Sequence, residues 1–112
     1  MESSRNESNV PLIVNARERG DDYVIVPAGE LDLSNAEVLR NRIREAQRSK
    51  AGRIVVDLGK LQFIDSTGLR ILLWAEQESR SNAHRIVFKR SNGQVARVMA
   101  LSGIDGELSF TD

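Results

Sequence analysis

Short apolar runs that favour strands alternate along this chain with segments whose apolar residues recur every three to four positions, as in helices. Such an alternation predicts right-handed crossovers and a largely parallel sheet. The turn sequence at residues 20–22 is short enough to join the first two strands as an antiparallel hairpin. The predicted strands cover residues 11–17, 23–26, 53–58, 85–89 and 107–110, and the predicted helices cover residues 36–50, 69–81 and 92–101.

Local signals set several boundaries of these elements. Pro27 has no backbone N–H and is expected to end the second strand. The continuous apolar run before it predicts burial on both faces of the sheet. Ser34 and Asn35 are candidate N-caps of the first helix, and Glu37 stands at the capping-box distance from Ser34. Residues 59–64 are predicted to form a loop.

Composition favours one domain and disfavours several classes of function. The 112 residues suit a single domain, predicted over residues 10–112 after a loose polar arm at residues 1–9. Basic and acidic residues number 16 each, so no global basic field favours nucleic acid. The chain has no cysteine and a single histidine, His84, so no metal centre and no cofactor is predicted.

Targeting signals and membrane segments are also absent from the pattern. Residues 1–9 are polar and contain no apolar signal-peptide core. The longest apolar stretch, residues 71–75, is far shorter than the ~20 residues that a membrane span needs. The sequence therefore predicts a cytoplasmic protein without membrane insertion.

Two polar loops follow predicted strands and lead into predicted helices. In open α/β sheets the working site lies beyond the carboxyl ends of the strands. The loops at residues 29–34 and 64–68 would therefore share one rim if their strands are parallel neighbours.

The second loop has two interpretations. Asp65, Ser66 and Thr67 are all favourable N-caps, so simple capping of the second helix is one. The other uses the free N–H groups and the positive dipole end of that helix, which tolerate a phosphate on the Ser66 hydroxyl. The added charge would block a partner that binds the unmodified hydroxyl, without refolding the domain.

The apolar residues of the second helix cover more than one of its faces. This pattern predicts either burial from two sides or an exposed apolar strip beside Ser66 that docks a protein. Trp74 is the candidate contact, because tryptophan is enriched among interface hot spots.

Catalysis is disfavoured by the residues around Ser66. The serine has no G-x-S-x-G context, and His84 begins the next strand. The DSTG sequence of residues 65–68 occurs once, so no pair of carboxylates of the aspartic-protease type is available. A phosphoaspartate receiver would need an acidic cluster beside Asp57, which the pattern does not supply. The chain is therefore expected to have no catalytic residue and to act by binding.

Three segments together resemble the bacterial anti-sigma factor antagonists of the STAS domain class. They are GELD at residues 29–32, IVVDL at residues 54–58 and FIDSTGL at residues 63–69. The similarity extends from about residue 12 to residue 104. It implies an α/β fold with a single STAS-like domain, a mostly parallel sheet of four to five strands, an N-terminal antiparallel hairpin and three main helices.

The resemblance also implies a function and its site residues. In this family the unphosphorylated antagonist binds an anti-sigma factor that is also a serine kinase, and thereby releases a sigma factor. The kinase phosphorylates a serine that corresponds to Ser66, with Thr67 as the second choice, and a serine phosphatase resets the cycle. The predicted partner-binding residues are Glu30, Asp32, Asp65, Ser66, Thr67, Gly68, Arg70 and Trp74.

The chain departs from the family pattern at two positions. Arg70 stands where a small residue is frequent, which is expected to alter partner choice, and Pro27 is expected to shift the loop that follows it. The family also offers an alternative function, a scaffold in a stress-signalling assembly or an accessory subunit of a membrane transport system.

Overall fold

The computed structural model describes residues 10–81 and 85–111, so the predicted arm and His84 lie outside the described residues. The elements within the described ranges follow the predicted order with one added strand. They are β1 (Ile13–Arg19), β2 (Asp22–Leu31), α1 (Ala36–Gln47), β3 (Arg53–Asp57), β4 (Leu61–Ile64), α2 (Ser66–Ser81), β5 (Arg85–Lys89), α3 (Gly93–Ser102), a 3-10 helix (Ile104–Gly106) and β6 (Phe110–Thr111).

The sheet is mostly parallel, as predicted. Its strand order is β1-β2-β3-β5-β6, and β4 pairs with β2 outside this path. The β1–β2 hairpin is antiparallel, and the pairings of β2 with β3 and β4, of β3 with β5 and of β5 with β6 are parallel. The described residues form six strands rather than four or five, because residues 61–64, predicted as part of a loop, form β4.

β2 continues through Pro27, so the prediction that this proline ends the strand is wrong. The pairing of β2 with β3 stops at Ile25, and its pairing with β4 starts at Gly29. Pro27 therefore lies where the neighbouring strand changes, and a missing N–H costs least at such a break. β2 continues past Pro27 to Leu31 at the rim of the sheet, with a shift in its register against β4 between Gly29 and Glu30.

The main core lies on one face of the sheet. Ile25, Val56 and Phe88 from neighbouring strands are fully buried in one cluster with Leu39 of α1 and Leu72 of α2. Val24 and Val26, which alternate with Ile25, are only half-buried and lie outside that cluster. The prediction that residues 23–26 are buried on both faces is therefore wrong, because the helices pack against one face.

The apolar residues of α2 pack on two sides of the helix. Leu69, Ile71, Leu72 and Ala75 are buried, and α2 contacts both α1 and β5. The Trp74 ring is half-buried, with the guanidinium carbons of Arg40 and Arg44 at 4.9 and 5.4 Å from its centroid. Of the two interpretations of this helix, the structure supports burial from two sides.

Candidate functional site

The two polar loops meet at one rim of the sheet, as expected for parallel neighbours. β2 and β4 end side by side, with Leu31 paired to Ile64. The Asp65 N–H donates to the Leu31 carbonyl oxygen at 3.2 Å. The loop after β2 and the start of α2 consequently form one surface, which we call the Ser66 rim and define as residues 30–34 and 65–68.

Asp65 joins the two halves of the Ser66 rim through its two carboxylate oxygens. Its Oδ1 accepts from the Gly68 N–H at 2.9 Å, which makes Asp65 the N-cap of α2. Its Oδ2 accepts from the Leu33 N–H at 3.0 Å. The predicted capping interpretation is thus correct for Asp65, and the same side chain also fixes the loop after β2.

Hydrogen bonds within residues 30–35 hold that loop. Asp32 Oδ1 accepts from the Ser34 N–H at 3.0 Å and from the Ser34 hydroxyl at 2.6 Å. The Asn35 amide donates to the Glu30 carbonyl and accepts from the Asp32 N–H, both at 2.9 Å. The predicted capping box of Ser34 and Glu37 does not form, because the Ser34 hydroxyl is directed to Asp32.

Ser66 is the first residue of α2, and its side chain is exposed. Within the described residues its hydroxyl has no hydrogen-bond partner, whereas Thr67 beside it is only partly exposed. The first turn of α2 holds no acidic side chain, and the helix itself cannot satisfy its first N–H groups. This geometry is compatible with an anion on Ser66.

Gly68 sets how closely α2 approaches the strand ends. The residue is buried, and a Cβ atom built on it would lie 2.7 Å from Ile64 Cγ1 and 3.0 Å from Leu31 Cγ. Both neighbours belong to the core at the ends of β4 and β2. A glycine at this position therefore lets the start of α2, with Ser66, lie directly against the rim.

We expect Gly68→Ala to lower the free energy of unfolding by about 1–3 kcal/mol, because the added methyl overpacks this contact. Urea denaturation of the full chain measures the change. The matched control is Gly106→Ala, where a new Cβ meets no heavy atom within 4 Å. Equal effects of the two substitutions would contradict the packing role of Gly68.

Two exposed apolar side chains, Leu33 on the Ser66 rim and Phe63 beside it, were not predicted as site residues from the sequence. Leu33 is 78% exposed, and its backbone is held by Asp65. Phe63, two residues before Asp65, is 40% exposed. Leu33 could have been noticed in the sequence, because it is an apolar residue between the polar residues of a loop. Phe63 falls in residues 59–64, which were predicted to form a loop, and it lies on β4.

The remaining predicted partner contacts lie along α2. Arg70 is exposed and stands one helical turn after Ser66. Trp74 stands eight residues after Ser66, or ~12 Å along the helix axis. The structure thus brings together Glu30, Asp32 and residues 65–68, with Arg70 nearby and Trp74 at a distance.

The described residues contain no group of three or more His, Cys, Asp or Glu side chains arranged to hold a metal ion. Among the helices in that part of the chain, none has the length and apolar character that crossing a bilayer requires.

The fold is that of a STAS domain. A family model described as "Mlab, STAS domain" matches residues 14–110. The chain belongs to the STAS domain family, and the resemblance predicted from residues 29–32 and 63–69 is confirmed.

Two curated relatives match about two thirds of the chain. An anti-sigma F factor antagonist of Paenibacillus polymyxa is 32% identical over 78 residues, which cover 69% of this chain and 67% of that protein. A Bordetella bronchiseptica protein, BtrV, named as a candidate anti-sigma factor antagonist, is 31% identical over 75 residues. That match covers 67% of this chain and 65% of BtrV, so the matched region spans just under two thirds of that relative.

Solved structures share the fold. The anti-sigma factor antagonist SpoIIAA in its unphosphorylated form superposes with a TM-score of 0.71 at 24% identity, covering 89% of each chain. The phosphorylated form of Bacillus SpoIIAA gives a TM-score of 0.65 at 22% identity, covering 89% of this chain and 92% of that one. These likenesses confirm the predicted α/β architecture.

Proposed function

We propose that this chain is an anti-sigma factor antagonist that is switched by phosphorylation of Ser66. Unphosphorylated, it binds an anti-sigma factor with serine kinase activity in the cytoplasm and so releases a sigma factor. The kinase then phosphorylates Ser66, the complex dissociates, and a serine phosphatase restores the free hydroxyl. The chain itself binds and does not catalyse. The observation that carries this proposal is the exposed Ser66 hydroxyl at a rim built by two loops.

The partner is expected to bury the Ser66 rim, which includes Leu33, together with the neighbouring Phe63. Leu33 and Phe63 supply exposed apolar area, and Leu33 stands on a loop that Asp65 holds in place. Docking of such a surface removes the neutral Ser66 hydroxyl from water and adds no charge to those already carried by Asp32 and Asp65. A preorganised loop lowers the conformational entropy lost on binding.

A phosphate on Ser66 changes the electrostatics of this surface rather than the fold. It adds a charge of about −1.5 to −2. In the free domain the N-terminus of α2 favours that charge, and the side chain is open to water. In a complex the same phosphate would be desolvated beside the carboxylates of Asp32 and Asp65, which opposes docking. The relative SpoIIAA has been solved in both phosphorylation states, and this chain superposes on both.

The direct test is to incubate the full chain with its serine-kinase anti-sigma factor and ATP, and to locate phosphate by mass spectrometry. We expect one phosphate on Ser66 in the wild-type chain and none in Ser66→Ala. A phosphate on Thr67 alone would reassign the acceptor within the same rim. No phosphate on either residue would overturn the proposed switch and favour a scaffold or transport-accessory role.

A further inference from the structure

The face of the sheet opposite the main core carries a band of valines. Strand pairing places Val24 of β2 beside Val55 of β3, and Val55 beside Val87 of β5. Strand residues alternate between faces, and Ile25, Val56 and Phe88 point to the helices, so the valines point away from them. Val55 and Val87 are 3% and 1% exposed, yet neither belongs to the core cluster.

Two adjoining depressions of about 310 and 320 Å³ lie over this face. Both are lined by Arg17, Val24, Val26 and Asp57, so they form one continuous surface. We call this surface the sheet groove. Its floor is aliphatic, and its walls are polar and charged.

The sheet groove is basic in a chain whose net charge is zero. The Arg53 Nη2 lies 2.9 Å from Asp22 Oδ2, and this hydrogen-bonded pair lowers the pKa of the Asp22 carboxyl. In the described part of the chain, Arg17, Lys60 and Lys89 take part in no ion pair. The charged residues of the groove are the basic Arg17, Arg19, Arg53, Lys60 and Lys89 and the acidic Asp22 and Asp57.

We propose that the sheet groove binds an acidic amphipathic helix of a partner protein. Three neighbouring strands span ~10 Å, and a helix with its side chains is about 10–12 Å wide. The apolar stripe of such a helix packs on Val24 and Val26, the half-buried valines that line both depressions, and its flanking carboxylates pair with Arg17 and Lys89. The opposite face of the same strands already packs α1 and α2 through apolar side chains.

The side chains that line the sheet groove favour an acidic helix over a nucleic acid. No aromatic side chain lines either depression of the described groove, so bases have no platform on which to stack. The groove shares no residue with the Ser66 rim as defined above. A partner on the sheet groove can therefore be bound independently of the phosphorylation state.

A synthetic amphipathic helix of about 18 residues, with a leucine stripe flanked by glutamates, tests the proposal. Its matched control carries glutamine in place of glutamate, and a single-stranded oligodeoxynucleotide tests the other class of ligand. Titration into the ¹⁵N-labelled full chain is expected to shift the amides of Val24, Val26 and Val55. The glutamate peptide is expected to bind at least about tenfold more tightly than the glutamine peptide.

Charge reversal on the protein completes the test. Arg17→Glu with Lys89→Glu should weaken the glutamate peptide at least about tenfold, while the equally charged control pair Arg48→Glu with Arg97→Glu, both exposed, should not. Ser66→Asp should leave peptide binding to the sheet groove unchanged. A failure of the groove proposal can therefore be told apart from a failure of the phosphorylation switch. The proposal is overturned if no groove amide shifts, if both peptides bind equally, or if only the oligonucleotide binds there.

Discussion

Ser66→Asp will bind the serine-kinase anti-sigma factor at least about thirtyfold more weakly than Ser66→Ala, a difference of about 2 kcal/mol or more. Both variants remove the hydroxyl, so they differ mainly in charge and in the size of the side chain. Aspartate places a carboxylate on the exposed first residue of α2, beside Asp65. Burial of that charge under a partner costs desolvation that alanine does not require. Isothermal titration calorimetry of each variant against the partner measures the difference.

The fold of the free domain should not change, because a negative charge is favourable in the first turn of a helix. Gln94→Asp is the matched control, since Gln94 is exposed and lies in the first turn of α3. This control adds a negative charge away from the rim and should keep wild-type affinity. Equal affinity of Ser66→Ala and Ser66→Asp would refute the electrostatic mechanism. Equal weakening by Gln94→Asp would indicate a general effect of net charge.

The order of elements was predictable because its signals are local. Residues 36, 39, 43 and 46 of α1 recur at helical spacing, and all four are buried as predicted. β4 was missed because its four residues are buried only at Leu61 and Ile64, a pattern too short to give a period. The prediction for Pro27 was wrong because whether a strand accepts a proline depends on which strands lie beside it. Those neighbours cannot be identified from the residues around the proline.

The candidate site likewise has one part that local sequence signals predict and another part that they do not. Residues 65–68 stand out in the sequence because hydroxyl and carboxylate residues directly before an apolar helix have few alternatives. The bond from the Leu33 N–H to Asp65 Oδ2 joins residues 32 positions apart, and no spacing rule predicts it. The valine band was likewise hidden, because a continuous apolar run does not tell which of its residues the helices cover.

Glu76 is a buried carboxylate with a structural role that no sequence pattern indicated. It lies among the apolar residues of α2 and is only 4% exposed. Its Oε1 accepts from the Ser109 N–H at 2.9 Å, and its Oε2 accepts from the Ser109 hydroxyl at 2.8 Å. Arg80 Nη2 lies 3.4 Å from the same Oε2. The Ser109 carbonyl in turn accepts from the Phe88 N–H at 2.9 Å. This carboxylate therefore fastens the segment before β6 to the helix that begins with Ser66.

We expect Glu76→Ala to lower the free energy of unfolding by about 2–4 kcal/mol, measured by urea denaturation. Alanine leaves the Ser109 N–H without its acceptor and opens a space beside the core. Glu76→Gln keeps one amide oxygen as an acceptor, and its N–H can donate to the Ser109 hydroxyl, so less than half of that loss is expected. Hydrogen exchange at Phe110 and Thr111 should rise more in the alanine variant than in the glutamine variant.

The matched control is Gln77→Ala, a neighbouring exposed position on α2 where truncation should change stability by no more than about 0.5 kcal/mol. A loss in Glu76→Ala no larger than this control would mean that the buried carboxylate contributes nothing net. An equal loss in Glu76→Gln and Glu76→Ala would instead assign the effect to the charge and its contact with Arg80. Only the graded order, with alanine below glutamine and glutamine below wild type, agrees with two hydrogen bonds from Ser109 as the link between α2 and β6.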